Sequence, residues 1–152
     1  MAYAEKTSVS VESSKADIER VLSKYGADQF MSGWQKGMAM VAFRMNGRHV
    51  RFLLPMPDKN EKRFTHHSRG VRTASAAIKE WEQACRQKWR ALLLVVKAKL
   101  EACEAGITEF DDEFMAHIVL PSGETMGDRY KPQIAIAYEQ GDMPPLLPDY
   151  TS

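Results

Sequence analysis

The chain has 152 residues, 44% of them hydrophobic and 27% charged, which fits one globular domain able to bury a sizeable core. Nothing approaches the roughly 18 consecutive apolar residues of a membrane span, and Met1 to Ser10 lacks the apolar stretch of a secretory signal. The net charge of +1 conceals a sorting by position: residues 44–99 carry 14 Lys/Arg against 4 Asp/Glu, and residues 100–152 carry 2 against 11.

In chain order, residues 1–12 read as a loose N-terminus. Ser13 and Ser14, followed by Asp17, resemble a helix N-cap with an acid three residues on. Ile18, Val21, Leu22 and Tyr25 recur at helical spacing, and Gly26 is a natural stop, so a helix is expected from about Lys15 to Tyr25.

Three strands are expected next: Gln29 to Gln35, Met38 to Met45 and Arg48 to Leu54. Lys36-Gly37 forms the first turn. Asn46-Gly47, a type I′ signature, forms the second and fixes the register. Met45 then faces Arg48, Phe43 faces Val50, Val41 faces Phe52 and Ala39 faces Leu54. This side is apolar and is assigned to the core. The other side pairs Arg44 with His49, Ala42 with Arg51 and Met40 with Leu53.

Residues 56–73 show no periodicity and are expected to form a long basic loop, of a length that is usually functional. A helix from Ala74 to Ala105 follows, closed by Gly106. Its central Leu92 to Val96 are apolar on every side, so either the rest of the chain or a second copy must cover them. Cys85 and Cys103 lie about 27 Å apart along this helix, too far for a disulfide, and two reduced cysteines suit a cytoplasmic protein. Thr108 and Asp111 resemble a second capping box, opening a short helix to about His117. A small hairpin over 118–126 and a last helix over Gln133 to Glu139, started by Pro132 and closed by Gly141, complete the ordered part. Residues 142–152, with Met143-Pro-Pro-Leu-Leu-Pro, read as an extended tail.

The expected fold is therefore α+β in a single domain spanning 1–152. An N-terminal helix precedes a three-stranded antiparallel meander, a long helix packs on the sheet, and a small, mostly helical part ends the chain.

The leading functional signal is the basic set. Arg44, His49 and Arg51 share one face of the hairpin. Lys59, Lys62, Arg63, Arg69 and Arg72 follow in the loop, and Arg86 and Arg90 line a helix face that is contiguous if the layers meet. Clustered guanidinium and ammonium groups suit a phosphate backbone, with little discrimination between bases. The bland alternative is that these cations pair with the chain's own acids: Asp111, Asp112, Glu113, Asp128 and Asp142. Glu113 and His117, four apart, have the spacing of two metal ligands, but no third ligand accompanies them. His66-His67 diverge in a loop and read as part of a solvated basic segment. Trp81 and Trp89 read as core and Trp34 as an exposed aromatic. No phosphate-cradling loop or nucleophile motif is present, so neither catalysis nor a cofactor is expected.

The segment Trp81-Glu-Gln-Ala-Cys-Arg-Gln-Lys-Trp-Arg-Ala-Leu-Leu-Leu-Val-Val-Lys-Ala-Lys-Leu-Glu-Ala and the hairpin Arg48-His-Val-Arg-Phe-Leu-Leu-Pro-Met-Pro resemble small bacteriophage- and prophage-encoded proteins. The likeness runs from about Val9 to Pro148. It implies a bacterial cytoplasmic setting and a role in phage replication, recombination or counter-defence, with no site or activity attached. The order of meander and long helix also resembles the core of single-strand annealing proteins, at the level of fold alone. Two functions follow as expectations. One is a nucleic-acid-binding accessory protein, acting on single-stranded DNA. The other is a protein-binding inhibitor or adaptor directed at a host defence complex through the acidic C-terminal third. Neither involves a membrane, and both are compatible with a homo-oligomer through Leu92–Val96.

Overall fold

The Asn46-Gly47 turn organises the computed structural model, which describes residues 8–141. Both turn residues take positive φ, 52° and 72°, as a type I′ turn requires. They join β2 (Met38–Met45) to β3 (Arg48–Pro55) in the register expected from the sequence, Phe43 opposite Val50 and Val41 opposite Phe52. β1 (Gln29–Gln35) adds antiparallel to β2, giving the order β1-β2-β3.

One face of this sheet is buried. Val41, Phe43, Val50 and Phe52 join Ile18 and Leu22 of α1 (Val11–Lys24) in the core. The layer is completed by Trp89, Leu92, Leu93, Val96 and Leu100 of the long helix Ala74–Glu104. Complete burial of a Leu, Ile or Val side chain contributes about 1.5–3 kcal/mol. The long helix starts where Thr73 accepts a hydrogen bond from the Ala76 N–H at 3.2 Å, and Gly106 follows its end with φ 75°.

The structure alters several expectations. α1 begins at Val11, not Lys15, because Ser10 is the N-cap and accepts from the Ser13 N–H at 3.1 Å. The end of the stretch read as loose is thus helical, and residues 1–7 and the 142–152 tail lie outside the described residues. The 56–73 stretch is folded. It contains a one-turn helix, α2 (Lys62–Thr65), and a miniature hairpin of β4 (His66–His67) and β5 (Gly70–Val71). Two anchors hold it: buried Phe64, and a 2.7 Å hydrogen bond from Trp81 Nε1 to the Pro57 carbonyl. The long helix, α3, therefore uses Trp81 as a loop anchor, while Trp89 is core, 2% exposed.

Beyond α3, the short helix α4 (Phe110–Phe114) runs into a 3-10 turn, Met115–His117. Its N-cap is Glu109 with no side-chain capping bond; Asp111 turns instead to Arg48. Residues 118–125 turn back beside β3, with bridges Val50–Ile118 and Val119–Thr125. The last helix, α5 (Met126–Gln140), starts seven residues before the position expected from Pro132. A reciprocal cap between Thr125 and Asp128 starts it. Pro132 sits inside, where its missing N–H leaves the Asp128 carbonyl without the usual helical donor.

Leu92, Leu93 and Val96 are buried by α1 and the sheet of the same chain, so the helix centre needs no second copy for cover; Val95 alone of this stretch reaches 36% exposure.

Candidate nucleic-acid interface

The sequence-selected cations fall in three places. Arg44, His49 and Arg51 project from the open face of the sheet, opposite the face that packs on α3. Arg86 and Arg90 lie on α3, so the sheet stands between the two groups and they do not form one surface. Lys59, Lys62, Arg63, Arg69 and Arg72 are brought together in the 57–73 module, pinned to α3 by Trp81.

On the open face, charge is consumed internally. Arg44 donates bidentately to Asp28, with Nε to Oδ1 at 2.9 Å. That guanidinium holds the Asp28 carboxyl below the usual carboxylate range. Arg51 donates to the Gly123 carbonyl at 3.1 Å and lies 4.0 Å from Asp128. The Asp128 carboxyl is lowered as well, first by its hydrogen bond to Thr125. The Arg51 Nε is buried without a partner. Beside it runs a shallow groove of about 340 Å³, lined by Met31, Met40, Ala42, His49 and Val119. Away from Arg44, His49 and Arg51 this face is methionine-rich, and no Phe, Tyr or Trp projects from its strand positions to stack a base.

On α3, Arg90 reaches Asp17 of α1 at 3.5 Å, and Arg86 bonds the Gln83 side chain. Both are half-buried. Lys99, farther along, pairs with Glu113 at 3.2 Å, and Arg48 pairs with Asp111 at 3.0 Å. The basic middle and the acidic end therefore do meet, at Arg48, Arg51 and Lys99.

The 57–73 module is different. Arg72 is structural: its guanidinium donates to the carbonyls of Arg63 and Phe64, at 2.8 and 3.0 Å, and closes the end of α2. Arg63 pairs with Glu61 at 2.6 Å, which lowers the Glu61 carboxyl, and lies over the Phe64 ring. Lys59, Lys62 and Arg69 are exposed and have no carboxylate partner among the described residues. His66 and His67 flank them, also exposed, with the Arg69 N–H donating to His67 Nδ1 at 3.0 Å. Gly70, at φ 136°, lets the miniature hairpin turn. Lys79, in the second turn of α3, is exposed as well.

Other candidate chemistry is occupied elsewhere. Glu113 is held by Lys99, and His117 stacks on Phe52 at 4.2 Å, so the two do not present a ligand pair. Among the described residues, no group of three or more His, Cys, Asp or Glu is placed to hold a metal ion. Burial pushes the Cys85 and Cys103 thiols up, away from the reactive thiolate. No described helix is long and apolar enough to cross a membrane. Compared with protein-family models, curated proteins and solved structures, the chain matches none.

Sequence reasoning passed over Trp81 as an anchor and Phe64 as a pin. The only local sign was a lone aromatic, Phe64, inside an otherwise polar stretch.

Proposed function

We propose that this chain is a phage-type nucleic-acid-binding accessory protein, and that the 57–73 module is its contact surface for the phosphate backbone of a single strand. One observation carries the reading: Lys59, Lys62 and Arg69 stand exposed and without acid partners on a segment fixed by Phe64, Arg72 and Trp81. Cations held in place lose less freedom on binding than cations on a floppy loop. Phosphate contacts of this kind position a strand without reading its sequence. Arg44, Arg51, Arg86 and Arg90 contribute little, since each already has a partner within the chain.

Fluorescence anisotropy with a labelled single-stranded oligonucleotide at two salt concentrations tests this. Binding is expected at low salt and weakens as salt rises. The triple variant K59E/K62E/R69E lowers the slope of log affinity against log salt by about 2, at roughly 0.7 per lost phosphate contact. No binding at low salt, or unchanged binding by the triple variant, overturns the proposal.

A second reading rests on the opposite end. Glu104, Glu109 and Asp112 are exposed around a cavity of about 800 Å³ that also takes in Tyr25, Leu100 and Ile107, the last 80% exposed. A mainly polar recess with an acidic rim suits a basic segment of a host protein, as an inhibitor of a defence complex would need. Capture of one identified partner from nuclease-treated lysate, lost in E104K/D112K, supports that reading over the first.

A further inference from the structure

The two edges of the sheet are finished differently. Beside β3 the chain returns: the Val119 N–H donates to the His49 carbonyl at 2.8 Å, and Val50 bridges Ile118. β1 has no such neighbour, and among the described residues its backbone hydrogen bonds run to β2 alone. Proteins blunt an open edge with charge, proline or a bulge. Gln29–Gln35 has no charge and no proline, and it pairs with β2 without interruption through all seven positions. Two of its apolar side chains are open to solvent, Met31 at 58% and Trp34 at 83%.

We propose that β1 pairs antiparallel with β1 of a second copy, about a two-fold axis through Ser32. Each residue then faces the one equally far from Ser32 on the other strand, and every pair is complementary. Met31 faces Gly33, where a side chain would meet nothing within 4 Å, so there is room for the methionine. Phe30 faces Trp34, a cross-strand aromatic pair. Gln29 faces Gln35, two amides that donate and accept. Just outside the strand, Asp28 faces Lys36. Arg44 already clasps Asp28, yet 55% of the Asp28 side chain remains open to a second cation. Moving the axis to a neighbouring residue sets Asp28 against Trp34, or Phe30 against Lys36, so the register is chosen by side chains as well as backbone. The axis runs perpendicular to the sheet. The result is one six-stranded sheet with a continuous open face and both α3 helices behind it. Pairing of two short strands buries less than a standard interface of about 1,600 Å², so the dimer is weak and depends on concentration.

Sedimentation equilibrium of the full chain tests this, with Ser32→Glu and Ser32→Lys as variants. Ser32 is exposed, so both are expected to fold, with melting curves as the check. The unaltered protein is expected to show a monomer–dimer equilibrium. Each variant places two like charges on the axis and is expected to be monomeric, and a one-to-one mixture regains the dimer because Glu meets Lys. Lys36→Asp, outside the strand and paired with no acid among the described residues, sets carboxylates against Asp28 and weakens the dimer several-fold. A protein that stays monomeric up to millimolar concentration overturns the proposal. So does a dimer that persists in both Ser32 variants, which would place the contact on the open sheet face. An edge covered by residues 1–7 or 142–152 of the same chain would appear as the first of these two results.

Discussion

Two sets of cations within residues 44–99 differ in a way the sequence does not show, apart from Lys79, Lys88 and Lys97, which lie exposed on α3. Those on the sheet and on the inner part of α3 end on a partner: Arg44 on Asp28, Arg48 on Asp111, Arg90 on Asp17 and Lys99 on Glu113. In the 57–73 module only Arg63 has a carboxylate, two residues away, and Lys59, Lys62 and Arg69 have none among the described residues. The difference teaches where a charge excess becomes a surface. A guanidinium on a packed layer lies within reach of the acids that layer is packed against. In the 57–73 module the acids are engaged locally, Glu61 by Arg63 and Asp58 by the Asn60 N–H, and Lys59, Lys62 and Arg69 are left unpaired among the described residues.

The most drastic way to break this comparison is to remove the support under the acidic partners. Phe114 is fully buried and meets Phe43 and Phe52 edge-on, with ring centroids at 5.9 and 6.4 Å. It holds the short α4 that presents Asp111 and Glu113 to Arg48 and Lys99. Phe114→Ala is expected to cost about 3–5 kcal/mol in denaturant unfolding, against the cavity it leaves. Loss below 1 kcal/mol would mean that α4 is not fixed by this ring.

The next effect concerns binding. K59E/K62E/R69E is expected to weaken single-strand affinity about 100-fold at low salt, roughly 2.7 kcal/mol, with melting unchanged. A control, R44Q/R51Q, removes two positive charges from the paired set, against a change of six in the triple variant, and is expected to leave affinity unchanged while lowering the melting temperature slightly. If the two variants weaken binding equally, the division into paired and open cations has no functional meaning.

Much of the fold was legible and much of the site was not, for separable reasons. The hairpin register followed from Asn46-Gly47, because a two-residue turn with positive φ leaves one alignment. The end of α3 followed from Gly106, whereas its N-cap, Thr73, reads in the sequence as the last residue of the loop. These are local signals. The start of α5 was misread because Pro132 is a local signal as well, and the Thr125–Asp128 cap outweighs it. The order of 57–73 depends on a bond from Trp81 to Pro57 across 24 residues, and the neutralisation of Arg48 on its own bond to Asp111 across 63. No window of neighbouring residues contains either pair. Charge counting therefore does not tell the cations apart: Arg72 and Arg69 read alike in the sequence, yet one closes a helix and the other faces solvent.

Trp81→Phe sharpens the comparison at smaller scale. It keeps the ring and removes the donor to the Pro57 carbonyl. A loss of about 1 kcal/mol is expected in unfolding. The amides of 58–72 should exchange faster with deuterium while those of β2 and β3 do not change. Uniform acceleration across the sheet would show that the module and the body form one cooperative unit.

The smallest effect is a dependence on pH at the seam between the sheet and the acidic part. His117 lies flat against Phe52, and burial lowers its affinity for a proton, helped by the nearby charges of Lys99 and Lys131. Its pKa in the folded chain is thus below the usual 6.5. Between that lowered value and 6.5, the unfolded chain binds a proton that the folded chain refuses, so stability rises with pH across this window. The contribution is complete above about 6.5 and is lost as pH falls through the folded value. Asp28, Glu61 and Asp128 act in the same direction but lower, since their carboxyls are depressed from 3.8, 4.5 and 3.8, and their contribution fades only as pH falls below those values. Unfolding in denaturant at pH 7.5, 6.5, 5.5, 4.5, 3.5 and 2.5 separates the two windows, with His117→Gln expected to flatten the upper one and leave the lower one intact. A His117→Gln protein whose stability still drops between pH 6.5 and 5.5 as the unaltered chain's does would show that the drop does not arise at this seam.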